Sequence, residues 1–445
     1  MVQLTLVDSP LYSAGFVAAD MREVFSYQAF IHRCVETEVA LAKAQATEGV
    51  IPQDAAVQIA ATADGFNFDF DRLHRETELV GYPILPIVEQ LAAAAGEGGK
   101  HLHWGATTQD IMDTATVLQI REGLDIIDKR LNETVSALRR LAKDHRDTPM
   151  AGRTHLQQAL PVTFGYKAAV WLSGLERHRE RIAEIRPRVL VVEFSGASGT
   201  LASLGGKGLA VQARLAEELG LGVPLITWHV ARDSIVETVQ LMALICGSLA
   251  KIAFDVSVMM MNEVGEVSEP FAPHRGASST MPQKRNPISC EHIIAALKMA
   301  RERAGLALDA MVADFERATG PWHLEWAAVP ESFAIASGAL QQAAFMLSGL
   351  EVHADRMMSN LNMLHGLIVA EAVMMGLAPF TGRQAAHDVV YVACRKAIET
   401  GQHLHDVLKD TPEVIDHLGE DRLKQLTDPR NYLGSAGAMV DRVLG

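Results

Sequence analysis

An all-α fold is what this 445-residue sequence predicts, on three observations. Apolar residues recur every three or four positions through long segments, the period of a helix with one buried face. Proline is sparse at 17 residues and aromatics make up 6%, while the helix formers Ala, Leu, Met and Glu are plentiful. Apolar residues reach 49%, enough for a large core divided among two or three domains.

Near the start, Phe30, Val35, Val39 and Ala42 keep helical spacing, and Gly49 and Pro52 follow as stop signals, so a helix should end near Glu48. From Asp113, the series Val117, Ile120, Leu124, Ile127, Leu131, Val135, Leu138 and Leu141 predicts a helix of roughly 30 residues. Two further segments, Asp233 to Val264 and Pro287 to Val312, are apolar on more than one face. Helices of that kind are buried by other helices, either within a large monomer or in a bundle completed by sister subunits, and periodicity does not choose between them. Between these two segments, Pro270, Pro273, Gly276, Pro282 and Pro287 forbid a continuous helix and predict a loop. From Glu351 onward the helical pattern becomes more charged, as expected of a smaller C-terminal domain. The expected organisation is an N-terminal domain over 1–110, a central helical bundle over 111–351 and a C-terminal domain over 352–445.

The formal charge is -14, and no Lys/Arg stripe of the kind that neutralises phosphates is present, so nucleic acid is excluded as an expected partner. An anionic substrate would need a site built from local cations and backbone N–H groups. Cys34, Cys246, Cys290 and Cys394 lie far apart without a CxxC pair, which argues against disulfides or a thiolate zinc site. The first residues show no basic region followed by an apolar core, and the apolar stretch Leu241 to Ala250 is too short to span a bilayer, so a cytoplasmic protein without a membrane segment is expected. Neither GxGxxG nor GxxxxGK[ST] occurs, and no metal-ligand cluster is visible, so the expected cofactor and metal content is none.

The loop Gly276-Ala277-Ser278-Ser279-Thr280-Met281-Pro282-Gln283-Lys284-Arg285-Asn286-Pro287 resembles the SSxMPxKxN signature of the aspartase/fumarase superfamily. Three further blocks appear in that family's order: His103 to Asp110 (HWGATTQD), Gly152 to Gln157 (GRTHLQ) and Trp228 to Asp233 (WHVARD). The resemblance implies three helical domains, a homotetramer with one large central bundle, and active sites assembled from different subunits. It implies addition or elimination across a carbon–carbon bond of a small dicarboxylate, usually with release of fumarate and without a cofactor.

The same resemblance makes Ser278 the base. Removing a proton beside a carboxylate builds a second negative charge on it, which Lys284 and Asn286 would stabilise. A serine hydroxyl acts as a base only if its own anion is stabilised by backbone N–H groups and a nearby ammonium. His155 occupies the family's position for protonating the leaving group, a task suited to imidazole. Glu291 occupies a place where relatives pair a carboxylate with that histidine, although a glutamate in a first helical turn has an ordinary reason to be there. Thr107, Thr108 and Thr154 match hydroxyl positions that bind substrate carboxylates, with Gln157 and Met281 alongside; helix capping is the plainer account of Thr107 and Thr108. Arg232 and Glu237 are expected to form a structural ion pair, His229 and Trp228 to lie in the core, and Arg275 either to attract a second carboxylate or to be solvated.

Within the superfamily, WHVARD, the ERATGPWHLEW stretch from Glu316 to Trp326 and GLIVAEAV from Gly366 to Val373 resemble bacterial 3-carboxy-cis,cis-muconate cycloisomerases. This sequence departs from their pattern by keeping His155 and Glu291 and by placing Phe315 where they carry histidine. The expectation is therefore a carbon–nitrogen lyase releasing fumarate from an N-substituted aspartate such as adenylosuccinate or iminodisuccinate. The alternatives are the cycloisomerase reaction and, from another class, a non-catalytic helical scaffold.

Overall fold

A computed structural model describes residues 5–317 and 319–445; Ala318, inside the ERATGPWHLEW stretch, lies outside them. The chain is mostly helical, and six of its helices position the residues discussed here: α1 Tyr27–Thr47, α2 Thr108–Asp144, α3 Phe164–Val189, α4 Asp233–Met259, α5 Ile288–Ala310 and α6 Pro321–Ser348. Helix α1 ends where expected, with Glu48 as its C-cap and Gly49 at positive φ. Helix α2 runs 37 residues, or about 55 Å, and all eight apolar residues of its series are buried.

The all-α expectation holds, and the described residues add two small antiparallel sheets, a hairpin of β1 Pro149–Thr154 with β2 Gln157–Thr163, and a short pair of β3 Val267–Ser268 with β4 Glu351–Val352. Thr154 and Gln157 therefore lie on strands.

The described chain divides into two compact units. The first comprises the chain up to Leu131, His178–Gly247 and His292–Gln341. Its core gathers Leu41, Ile59, Ile87, Leu91, Ile111, Leu118, Phe194 and Leu215. Gly338 of α6 packs directly on the chain at Phe16, where a Cβ would stand 2.0 Å from the Phe16 carbonyl oxygen. The second unit comprises Asn132–Arg177, Ser248–Glu291 and Gln342–Gly445. One of its cores is formed late in the chain by Leu377, Ala386, Leu404, Val414 and Leu423.

Helix α4 stops at Met259, five residues before the end its apolar pattern suggests. The chain turns back there, with Gly265 at positive φ and the Glu266 N–H donating to the Met259 carbonyl at 2.9 Å. The stretch Leu241 to Ala250 belongs to this 27-residue helix, which corrects the expectation that it is too short to cross a bilayer: by length and composition alone α4 qualifies. Half of its most apolar window is buried within the chain. Leu244 and Phe254 each keep 54% exposure, so apolar surface remains uncovered in the single chain. The four cysteines are free thiols.

Candidate active site

The signature loop joins α4 and β3 to α5, and its neck is closed by backbone pairing. The Asn286 N–H donates to the Gly276 carbonyl at 3.0 Å, and Ala277 bridges Arg285. Gly276 has φ +67°, and a Cβ there would meet the Asn286 carbonyl at 2.5 Å, so only glycine closes this neck without strain. The tip, 278–284, turns back on its own serine: Ser278 Oγ accepts the N–H of Met281 at 3.0 Å and of Thr280 at 3.3 Å. Below the loop, the buried Glu269 carboxylate accepts the N–H groups of Ser289 (3.2 Å) and Cys290 (3.0 Å) at the start of α5, satisfying donors that a helix end leaves open. Arg275 is half-buried rather than solvated. Its guanidinium donates to Ser289 Oγ (2.7 Å) and Gln342 Oε1 (2.6 Å) and lies over the Phe345 ring, bracing the loop.

Beside the neck is a cavity of about 210 Å³ lined by His274, Arg275, Lys284, Arg285 and Asn286 among others. Among them Lys284 and Arg285 are local cations of the kind that an anion site in this acidic chain needs. Lys284 is exposed, and Glu291 is exposed in the first turn of α5, the ordinary location for a helix-start carboxylate.

His155 and Leu156 form the two-residue turn of the β1–β2 hairpin, with φ of +53° and +63°. Two successive positive φ values have the sign pattern of a type I′ turn, usually built from Asn or Gly. A histidine held there is conformationally costly, and such strain concentrates at functional sites. Thr154, His155 and Gln157 are all exposed at this tip, and the His155 ring has no hydrogen-bond partner among the described residues. The hairpin is anchored by a residue pair that the sequence did not single out. Arg153 donates to both oxygens of the buried Glu266 at 2.9 and 2.7 Å, and Asn360 donates to the same carboxylate at 2.9 Å.

Thr107 and Thr108 are half-buried where α2 begins. The carboxylate of Asp110 holds this block by accepting the N–H groups of Thr107 (2.9 Å), Ser195 (3.0 Å) and Gly196 (3.0 Å). His229, buried as expected, lies with its Nε2 2.7 Å from Asp110 and 3.5 Å from Glu193. Burial pushes the Glu193 carboxyl up to about 7, against the pull of His229 and of hydrogen bonds from Ser195 and Trp228. These three side chains bring possible ligand atoms close enough together to hold a metal ion. Their oxygens are already occupied by N–H and O–H donors, and 2.7 Å from nitrogen to oxygen is a hydrogen-bond distance, so the cluster fits proton sharing better than cation binding. Asp110 stands inside a quoted block, but nothing local in the sequence marks Glu193.

Arg232 does not pair with Glu237. Its guanidinium lies buried between Asp113 (2.6 and 3.1 Å) and Glu325 (2.8 Å, with a second, shorter contact), stacked over Trp228. Glu237 pairs instead with Arg188 at 2.8 Å. Five residues of helix rotate a side chain about 140° away, so Arg232 and Glu237 point in different directions. Arg232→Met should destabilise the chain by about 3–5 kcal/mol, because it leaves two buried carboxylates uncompensated. A shift of under about 1 kcal/mol, derived from the denaturant midpoint, would show that these carboxylates carry little charge in the fold.

Comparison with known proteins places these features in a family. A lyase family model matches residues 16–301, and a model of the adenylosuccinate lyase C-terminus matches residues 366–443. The chain is 47% identical to trans-aconitate decarboxylase 1 of Mycosarcoma maydis, over 96% of this chain and 87% of that one. It is 45% identical to 3-carboxy-cis,cis-muconate cycloisomerase of Pseudomonas aeruginosa (98% and 95% covered). With N-acetyl-S-(2-succino)cysteine lyase of Dickeya dadantii it shares 39% (99% and 97%). Among solved structures, the fumarate lyase from Mesorhizobium sp. BNC1 superposes with a TM-score of 0.93 at 64% identity, covering 98% of this chain and all of that one.

Proposed function

The chain belongs to the fumarate lyase superfamily, whose members act on small dicarboxylates, and from that premise we propose that it releases fumarate by β-elimination from an N-substituted aspartate or related succinyl compound. The observation that carries this reading is the pair of backbone N–H groups donating to Ser278 Oγ. They supply the stabilisation without which a serine oxygen is too poor a base to take a carbon-bound proton. Ser278 removes the proton beside the substrate carboxylate, Lys284 and Asn286 take up the charge of the aci-carboxylate, and His155 protonates the departing group. Thr107, Thr108, Thr154 and Gln157 hold the carboxylates, with Met281 over the substrate, and no metal or organic cofactor takes part.

Cycloisomerisation is the second reading, favoured by the 45% identity to the Pseudomonas aeruginosa enzyme. The retained His155 and Glu291 favour elimination, since closing a lactone expels no amine. The deciding experiment incubates chelator-treated full-length protein with adenylosuccinate, iminodisuccinate, N-acetyl-S-(2-succino)cysteine and carboxymuconate, following fumarate and lactone directly. Fumarate from a succinyl compound is expected. Lactone alone would establish the second reading, and no turnover of any substrate would favour a non-catalytic scaffold. Activity recovered only on adding zinc or magnesium would refute cofactor independence.

We read the chain as a cytoplasmic homotetramer; the exposed apolar side chains of α4 support the assembly, completed by packing that face against sister chains. Light scattering should give about 190 kDa for four chains of 48.3 kDa. A stable, active monomer would contradict the assembly and any active site shared between chains.

A further inference from the structure

The ERATGPWHLEW stretch has no role in the reaction above, yet its end on α6 builds a cavity. Trp322, Glu325 and Trp326 line a space of about 260 Å³ with Phe25, Phe30 and Asp113. We infer that this cavity is a binding site for a small organic ammonium ion.

Charge and aromatic surface both point to that ligand class. Asp113 and Glu325 are among the residues lining the space and Arg232, which pairs with both, is not, so two carboxylates border the cavity with one cation shared between them. Asp113 is saturated: Trp322 Nε1 donates to it at 2.9 Å and Gln109 Nε2 at 2.9 Å, in addition to Arg232. Each Glu325 oxygen receives a single donor, both from Arg232, and keeps a lone pair for a ligand N–H. Burial holds the Glu325 carboxyl above the usual carboxylate range, the direction expected of a desolvated acid with too little positive charge nearby. Around this acidic wall, Phe25, Phe30, Trp322 and Trp326 supply aromatic rings, whose quadrupoles attract cations and whose surfaces tolerate the apolar part of an amine. A neutral ligand would use the aromatic surface but leave the excess charge uncompensated.

The location is also suited to a ligand. Met112 and Thr116 line the same cavity one and two turns along α2 from Thr108, the first turn being a rise of about 6 Å. The inference stands on the cavity alone and does not depend on the reaction assigned above.

The test is calorimetry on the full chain with phenethylammonium and its neutral counterpart, 2-phenylethanol. Phenethylammonium should bind at least about tenfold more tightly, the ratio expected of one desolvated cation–π and carboxylate contact. Glu325→Gln should erase that preference while sparing binding of the alcohol. Trp326→Leu, which touches no ion pair and serves as the independent probe should Glu325→Gln fail to fold, should weaken both ligands. Equal affinity of the two ligands, no binding of either, or phenethylammonium affinity unchanged by Trp326→Leu would overturn the proposal.

Discussion

Ser278→Ala is expected to lower turnover by about 10⁴-fold or more, at or beyond the upper end of a general-base contribution. Without the hydroxyl, the N–H groups of Thr280 and Met281 converge on a methyl group, and the oxygen they stabilise is gone. Folding should be nearly untouched. Ser278 is half-buried on a loop, its hydroxyl makes only local contacts within 278–281, and losing such bonds costs about 1 kcal/mol. The loop neck, held by Gly276, Ala277, Arg285 and Asn286, does not involve the serine side chain. Measured kcat on the best substrate, beside circular dichroism and light scattering, separates a catalytic loss from a structural one. Retention of more than about a tenth of the wild-type rate by a folded variant would remove Ser278 as the base.

His155→Asn should cost about 10² to 10⁴ in rate when the leaving group is an amine, the usual size of a general-acid contribution. The substitution suits the backbone, because asparagine tolerates the positive φ that the hairpin turn imposes at this position. The penalty should shrink for leaving groups that depart without a proton. An unchanged rate with carboxymuconate as the good substrate would reverse the order of the two readings, since lactone formation has no amine to protonate.

The loop and the helices were legible because their causes are local. Gly49 and Pro52 bound α1, the apolar series from Val117 to Leu141 buries one stripe of α2, and four prolines with Gly276 break the chain between α4 and α5. The overrun of α4 to Val264 has a local cause too: Met260, Met261 and Val264 continue the apolar pattern through a turn. Pairing was harder to read. Arg232 sits five residues from Glu237 in sequence, but its partners Asp113 and Glu325 are 119 and 93 residues away.

The sequence by itself determined the helical elements, the breaks between them and the motif blocks, because periodicity, proline and glycine act within a few residues. Only the tertiary structure decided which buried charges meet. The Asp110–Glu193–His229 cluster and the Asp113–Arg232–Glu325 group each draw on three separate segments of the chain, and a desolvated charge is tolerated only where folding brings its partner within hydrogen-bond reach.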